Sequence, residues 1–477
     1  MKKSLLLTNF ITAFINITAI AIINYRFHEL PSSIPFFYTI PWGNQQLALN
    51  TYIWIIPSLA ILFQLINLFF SIKSKKGQQP IISNSFGYIS LVISILAIVF
   101  VTRILNVSTQ SFLSIPMELK LTMIPAIAAL LTTLVAMPFL LKASKKFGLI
   151  DDPISHKHPA MLITKPTPRI GGLVFLIGIG IPSIFLLPII ENQKLIGIFL
   201  GIIICVILGI IDTKKDTNPL IRLGMQGVAV LLVSLSGIIM VYLPNPWGIP
   251  INLDQFRFTF EFYGPHTVYY VSVIAAAFWM GIVMNFMSWS NGSDGVYAGL
   301  VSFSSLAIAI IMIGSLNEDP QLAIYIKLAS MVFGVGIAMA IYTWPPQKVL
   351  WGFGATAPAL IIAALSILGS TKISTTLLIL MIPFLDGIFA IFRRIRRKQL
   401  PFWGDRKHLH HKLLDIGWNK QKIAIFYWTS TIIFFIFAIT TSGKTKVLYF
   451  LSFGIIFAIG ISLLNFIKIR IKSKHNK

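Results

Sequence analysis

Acidic residues are scarce in this chain: 15 Asp and Glu stand against 39 Lys and Arg in 477 residues, and charged residues of both signs make up 11%. Soluble globular domains carry about a quarter charged residues, so that class is excluded. The single cysteine, Cys205, lies inside an apolar run; it excludes an intrachain disulfide and leaves the redox compartment undetermined. No internal repeat or low-complexity tract is evident. The net charge of +24 is spread over short loops. With no separate basic domain, nucleic acid is not the expected partner; anionic lipid headgroups and phosphorylated substrates are.

Apolar residues make up 56% of the chain, with a mean hydropathy of +0.81. They fall in runs of about 20 residues, the length needed to cross a hydrocarbon core. The expected fold is therefore all-α: a polytopic membrane protein with about fourteen transmembrane helices. Three runs lie near 5–25, 51–72 and 87–107. Eleven follow near 122–143, 170–190, 195–211, 221–243, 266–287, 295–316, 322–343, 354–370, 375–392, 423–440 and 447–467. The run at 354–370 is the weakest. Met1-Lys2-Lys3 resembles the start of a signal peptide, but no small-residue cleavage site follows, so the first run reads as a retained helix.

With Met1 in the cytoplasm, the loops at Lys73–Lys76, Lys142–Arg169, Lys214–Arg222, Lys348 and Arg393–Lys422 and the Lys468–Lys477 tail share one side. The opposite loops, such as Asn245–His266, hold few positive and several aromatic residues. That asymmetry predicts a multi-pass plasma-membrane protein with its N-terminus and polar loops cytoplasmic. Residues 1–115 read as an added three-helix module without evident chemistry. Residues 116–417 form a core with polar loops, and 418–477 hold two further helices and a basic tail.

Each cytoplasmic loop of the core carries a polar cluster. Pro166-Thr167-Pro168-Arg169-Ile170-Gly171-Gly172 opens a helix after Asp151-Asp152-Pro153 and His156-Lys157-His158. Its glycines serve either close packing or close approach of a ligand. Asp212-Thr213-Lys214-Lys215-Asp216 ends an apolar run, where an acid is costly without a metal, a proton or an ion-pair partner. Asn285 to Gly295 gathers Asn285, Ser288, Asn291 and Asp294, groups suited to a hydrated metal or a sugar, with helix capping by Asp294 as the structural alternative. Trp344-Pro345-Pro346-Gln347-Lys348 by itself reads as a turn.

Arg393 to Lys412 is the most basic segment, and contains His408, His410 and His411. The histidines could bind a transition metal, but the surrounding positive charge favours a phosphate, which gains charge-assisted hydrogen bonds there. The positive residues also serve topology alone. That role leaves the histidines unexplained.

In order and spacing, these loops resemble the polyprenyl-phosphate N-acetylhexosamine-1-phosphate transferase family over about residues 120–417. Asp405-Arg406-Lys407-His408-Leu409-His410-His411 carries the most specific likeness, and Pro168-Arg169-Ile170-Gly171-Gly172 and Pro345-Pro346-Gln347-Lys348 support it. The resemblance implies transfer of a sugar 1-phosphate from a UDP-sugar to a polyprenyl phosphate at the cytoplasmic face, with Mg²⁺ or Mn²⁺ as cofactor. It implies Asp212 and Asp294 as catalytic metal-holding acids. Arg169, Lys215, Asn285, Asn291, Lys348, His408, His410 and His411 would bind substrate.

The chain departs from the family pattern at acids. Thr213, Asn291 and Phe353 stand where the pattern has aspartates, leaving Asp212, Asp294 and Asp386. Two readings follow: a divergent transferase holding its metal through waters, and a non-catalytic relative that binds polyprenyl phosphate or a partner enzyme. A transporter is disfavoured because the polar groups gather in loops and do not line helix centres.

Overall fold

The computed structural model describes residues 2–37, 46–76, 80–108, 117–153, 163–215, 217–243, 245, 248–261, 264–369, 373–400, 406–441 and 444–475. Asp216, Asp405 and the His156–His158 stretch lie outside these residues. The chain divides into two compact units, Met1–Met117 and Glu118–Lys477.

The first unit contains α1 (Lys2–Arg26), α2 (Ile55–Lys76) and α3 (Pro80–Ser108), with a short antiparallel pair of β1 (Ser33–Pro35) and β2 (Leu47–Leu49). Ile23, Leu30, Ile34, Ile53, Val101, Ile104 and Leu105 form its core. Polar pairs join its helices: Asn16 donates to Gln64 at 2.9 Å and Asn67 to Ser90 at 2.9 Å.

The second unit starts with α4 (Met117–Lys146), β3 (Ile150–Asp151), β4 (Thr167–Pro168), α5 (Gly171–Leu186), α6 (Gln193–Lys215) and α7 (Pro219–Leu235). Two small β-pairs follow on the 242–268 segment, and then α8 (Tyr270–Trp289), α9 (Val296–Gly314) and α10 (Leu322–Thr343). The chain continues through α11 (Thr356–Leu368), α12 (Ile373–Ile379), α13 (Met381–Arg396), α14 (Leu409–Asp415), α15 (Lys420–Thr440) and α16 (Lys444–His475). Among the described residues, eight helices are long and apolar enough to cross a membrane, and a bent pair makes a ninth. Four shorter apolar helices accompany them. Outward faces such as Val135 and Phe139 on α4 or Ile455 and Phe466 on α16 are exposed and apolar, as lipid contact requires. The protein is an all-α polytopic membrane protein.

Two apolar runs differ from independent, straight spans. The run near 354–370 becomes α11, 13 residues long and only about 20 Å at 1.5 Å per residue. Its residues Ala357 to Ser366 are all buried among neighbouring helices, and small side chains allow that close approach. It forms the centre of the bundle rather than a lipid-facing span. The run near 375–392, read as one helix from hydropathy, breaks at Leu380: α12 and α13 meet at 90°. The break has a consequence for Asp386, which a straight span would carry into the membrane. On α13 it reaches the loop before α14 and is bonded there.

Candidate active site

Arg169 is positioned by backbone bonds. β3 and β4 pair, the Arg169 amide donates to Leu149 O at 2.9 Å, the Leu350 amide to Pro168 O at 2.8 Å, and the Gly171 amide to Leu350 O at 3.0 Å. The Gly171-Gly172 pair allows this close packing. A Cβ at Gly171 would lie 2.5 Å from Trp351 Cα, and one at Gly172 2.7 Å from Gly354 Cα. Of the two roles open to these glycines, backbone packing is the one seen.

Asp212 lies in the last turn of α6, where the helix dipole disfavours an anion. Cations compensate. Arg169 Nη2 donates to Asp212 Oδ2 at 2.9 Å and Arg222 Nη2 approaches Oδ1 at 2.7 Å. Thr217 adds its hydroxyl at 2.7 Å and its amide at 3.3 Å, both to Oδ1. Three of these four donors fall on Oδ1 and one on Oδ2. The Asp212 side chain is 0% exposed, whereas Arg169 and Arg222 retain 20% and 24%. Lys215 lies exposed at the end of α6.

The three positions that depart from the acidic pattern are all occupied by local contacts. Thr213 donates back to Gly209 O at 2.8 Å. Asn291 donates to Gly352 O at 3.3 Å. The Phe353 ring lies 5.4 Å from the Arg222 guanidinium, a cation–π contact. Asn285 donates to Gln226 at 3.1 Å and to Gly281 O at 2.8 Å, linking α8 to α7.

Asp294 does not cap α9; the N-cap is Gly295, with φ 77°. Asp294 Oδ1 accepts from Lys420 Nζ at 2.8 Å, and Oδ2 from the Gln347 amide at 3.2 Å. It therefore ties the α8–α9 turn to α15 and to the loop after α10. Lys348 is exposed on that loop.

The histidine loop is anchored on α13. His408 Nδ1 donates to Asp386 Oδ2 at 2.8 Å and the Leu409 amide to Oδ1 at 2.9 Å. This places the His408 proton on Nδ1. Arg394 Nη2 lies 3.4 Å from Nε2, and its guanidinium sits 4.7 Å from the Trp289 ring centre. His408 and His410 stack in parallel at 5.8 Å, and His410 meets His411 at 4.1 Å. His410 presses on the α8–α9 turn so closely that a Cβ at Gly292 would lie 2.1 Å from its Nε2. Burial, then the neighbouring imidazoles, hold His410 well below the usual histidine pKa. Burial, His408 and Arg406 bring His411 down to about 4. At neutral pH both rings are uncharged. Their role in anion binding is thus limited to hydrogen bonding, and the positive charge comes from Arg and Lys.

The contacts therefore bring Arg169, Asp212, Asn285, Asn291, Asp294, His408, His410 and His411 to one end of the bundle, but do not bring Asp212 and Asp294 together as a metal pair. Asp212 holds two arginines and Asp294 holds a lysine. Among the described residues no three His, Cys, Asp or Glu side chains converge as metal ligands. As placed among the described residues, the acids engaged by cations do not fit Mg²⁺ or Mn²⁺, which take several oxygen ligands. Sequence reasoning missed Arg222 and Lys420 as partners of the two acids, and the buried Arg394. Only Asp386 carried a signal, as an acid within an apolar run.

The helix ends of this polytopic protein gather arginines, lysines and buried acids, groups chemically suited to a phosphorylated ligand. More narrowly, residues 195–370 match the model of glycosyl transferase family 4. It is 28% identical over 340 residues to a probable undecaprenyl-phosphate N-acetylglucosaminyl 1-phosphate transferase of Bacillus subtilis, covering 69% of this chain and 87% of the relative. A decaprenyl-phosphate N-acetylglucosaminephosphotransferase of Mycobacterium tuberculosis is 24% identical over 302 residues, 56% of this chain and 71% of the relative. A phospho-N-acetylmuramoyl-pentapeptide-transferase of Campylobacter jejuni is 24% identical over 292 residues, 55% and 77% respectively.

Proposed function

We propose that this chain is a divergent phosphosugar transferase of cell-wall or surface-polysaccharide synthesis, with its polar end and N-terminus on the cytoplasmic side of the plasma membrane. It takes a UDP-N-acetylhexosamine and a polyprenyl phosphate. A phosphate oxygen of the lipid attacks the sugar-bearing phosphorus, and the bond from that phosphorus to the bridging oxygen breaks. UMP leaves with the bond's electron pair. The reacting phosphates repel one another, so fixed cations have to lower that repulsion. Arg169 and Arg222, oriented by Asp212, are the cations poised for it, with Lys215 and Lys348 at the mouth. Asn291, a group suited to the sugar, lies on the α8–α9 turn beside the His408–His411 loop, and Asn285 lies within the end of α8. The observation that carries this reading is the family match over 195–370, which spans Asp212, Asn285, Asn291, Asp294 and Lys348.

A specific observation favours a second reading, a non-catalytic relative that keeps the binding site: Thr213, Asn291 and Phe353 are all engaged in local contacts. Purified full-length protein incubated with UDP-N-acetylglucosamine and undecaprenyl phosphate separates the two. Lipid-linked sugar phosphate and UMP are the expected products. Binding of both substrates without product, across a panel of UDP-sugars, would assign the second reading.

A further inference from the structure

We infer that this site holds the phosphates of its ligand without a divalent cation, with the Arg169–Asp212–Arg222 clamp in the metal's place. The inference deepens the proposed function and rests on its assignment of a phosphorylated ligand.

The first support is occupancy. Asp212 Oδ1 accepts from Arg222 at 2.7 Å and from the Thr217 hydroxyl and amide, and Oδ2 accepts from Arg169 at 2.9 Å, so a cation reaching either oxygen would sit against a guanidinium group. Charged hydrogen bonds of that length are the strong ones. Asp294 offers no substitute while Lys420 sits on it at 2.8 Å.

The second is charge. Aspartates at 213, 291 and 353 would add three negative charges, where this chain has Thr213, Asn291 and Phe353. A divalent ion returns only two positive charges to such an acidic site. A phosphate arriving here therefore meets a more positive field without metal than it would meet in the acid-rich site with one ion bound. Phe353 matters most in this respect. An acid there would pair with Arg222, whereas the ring at 5.4 Å supports the guanidinium and leaves its charge unneutralised by that position.

The third is geometry. The one side chain that fixes both arginines is fully buried, while the Arg169 and Arg222 side chains keep 20% and 24% of their surface exposed, and Arg169 also reaches Asp151 at 3.4 Å. Asp212 acts as a positioning residue that holds the two partly exposed arginines together, and planar guanidinium groups match phosphate oxygens.

The test is calorimetric titration of the full-length protein in detergent micelles, with UDP-N-acetylglucosamine and, separately, farnesyl phosphate as probes, in chelator and in millimolar Mg²⁺. At least one probe should bind with a Kd that changes less than about threefold between the two conditions. The probe that binds says whether the nucleotide or the lipid phosphate occupies the clamp. Arg222→Gln should weaken metal-free binding by about tenfold or more, the range for a charged hydrogen bond. Phe353→Asp, which leaves both arginines in place, should weaken it similarly and make it respond to Mg²⁺. Binding seen only with Mg²⁺ would overturn the metal-free clamp and leave the proposed function standing. If neither probe binds in either condition, the ligand assignment itself fails and the clamp with it.

Discussion

The arginine clamp and the histidine loop lie at the same end of one helical bundle and solve opposite electrostatic problems. Around Asp212 the acid is buried and the cations are left partly in solvent. Around His410 and His411 the ionisable rings are themselves buried, and burial strips them of charge. The buried His410 and His411 of the most basic segment therefore add no charge to the site at neutral pH; its charge comes from arginines and lysines. In the clamp, a short carboxylate organises long, planar cations. In the loop, aromatic stacking and the Asp386–His408 bond organise a framework.

Removing the organiser of the clamp gives the largest effect expected. Asp212→Ala leaves two guanidinium groups side by side without their shared anion, and breaking one partner out of a buried pair costs about 3–5 kcal/mol. The partial exposure of the arginines places this variant at the low end. Thermal unfolding in detergent should show a lowered midpoint, and added phosphate should recover part of it. A midpoint equal to the parent's would mean that Asp212 does not hold the pair.

Gly292→Ala addresses the other region. Its methyl group would meet the His410 ring at 2.1 Å, and overpacking of this kind costs about 1–3 kcal/mol. Stability should fall while ligand affinity at the clamp is kept. Affinity falling in parallel with stability would show that the two regions form one unit.

The smallest effect is a pH dependence confined to the loop. The folded-state pKa of His411 lies near 4, below the ordinary value of 6.5, so the unfolded chain binds more protons between those values. Stability then rises with pH across that window. The contribution is fully present above about pH 6.5 and is lost as pH falls toward about 4. Unfolding midpoints recorded from pH 4 to 7 should slope upward, and the slope should shrink in His411→Asn. An unchanged slope in that variant would place the titration elsewhere.

Much of this architecture is legible in the chain, because hydropathy is a local property. Fourteen apolar runs correspond to helical segments, with the run near 375–392 divided between α12 and α13. The motif residues from Arg169 to His411 could likewise be picked out, since each is polar at the edge of an apolar stretch. The bend at Leu380 could not, because α12 and α13 are both apolar and hydropathy does not record direction.

What the sequence by itself determined is the class of protein: a membrane-spanning helical chain, short of acids, with positive loops and a recognisable order of motifs. The tertiary structure alone decided what the remaining acids do. Asp294 meets Lys420 across 126 positions and Asp212 meets Arg169 across 43, and no local pattern encodes those meetings. An acid in a low-dielectric bundle must find a cation, and the partner is set by which helix ends the packing brings together. Here they are the cations of the chain itself.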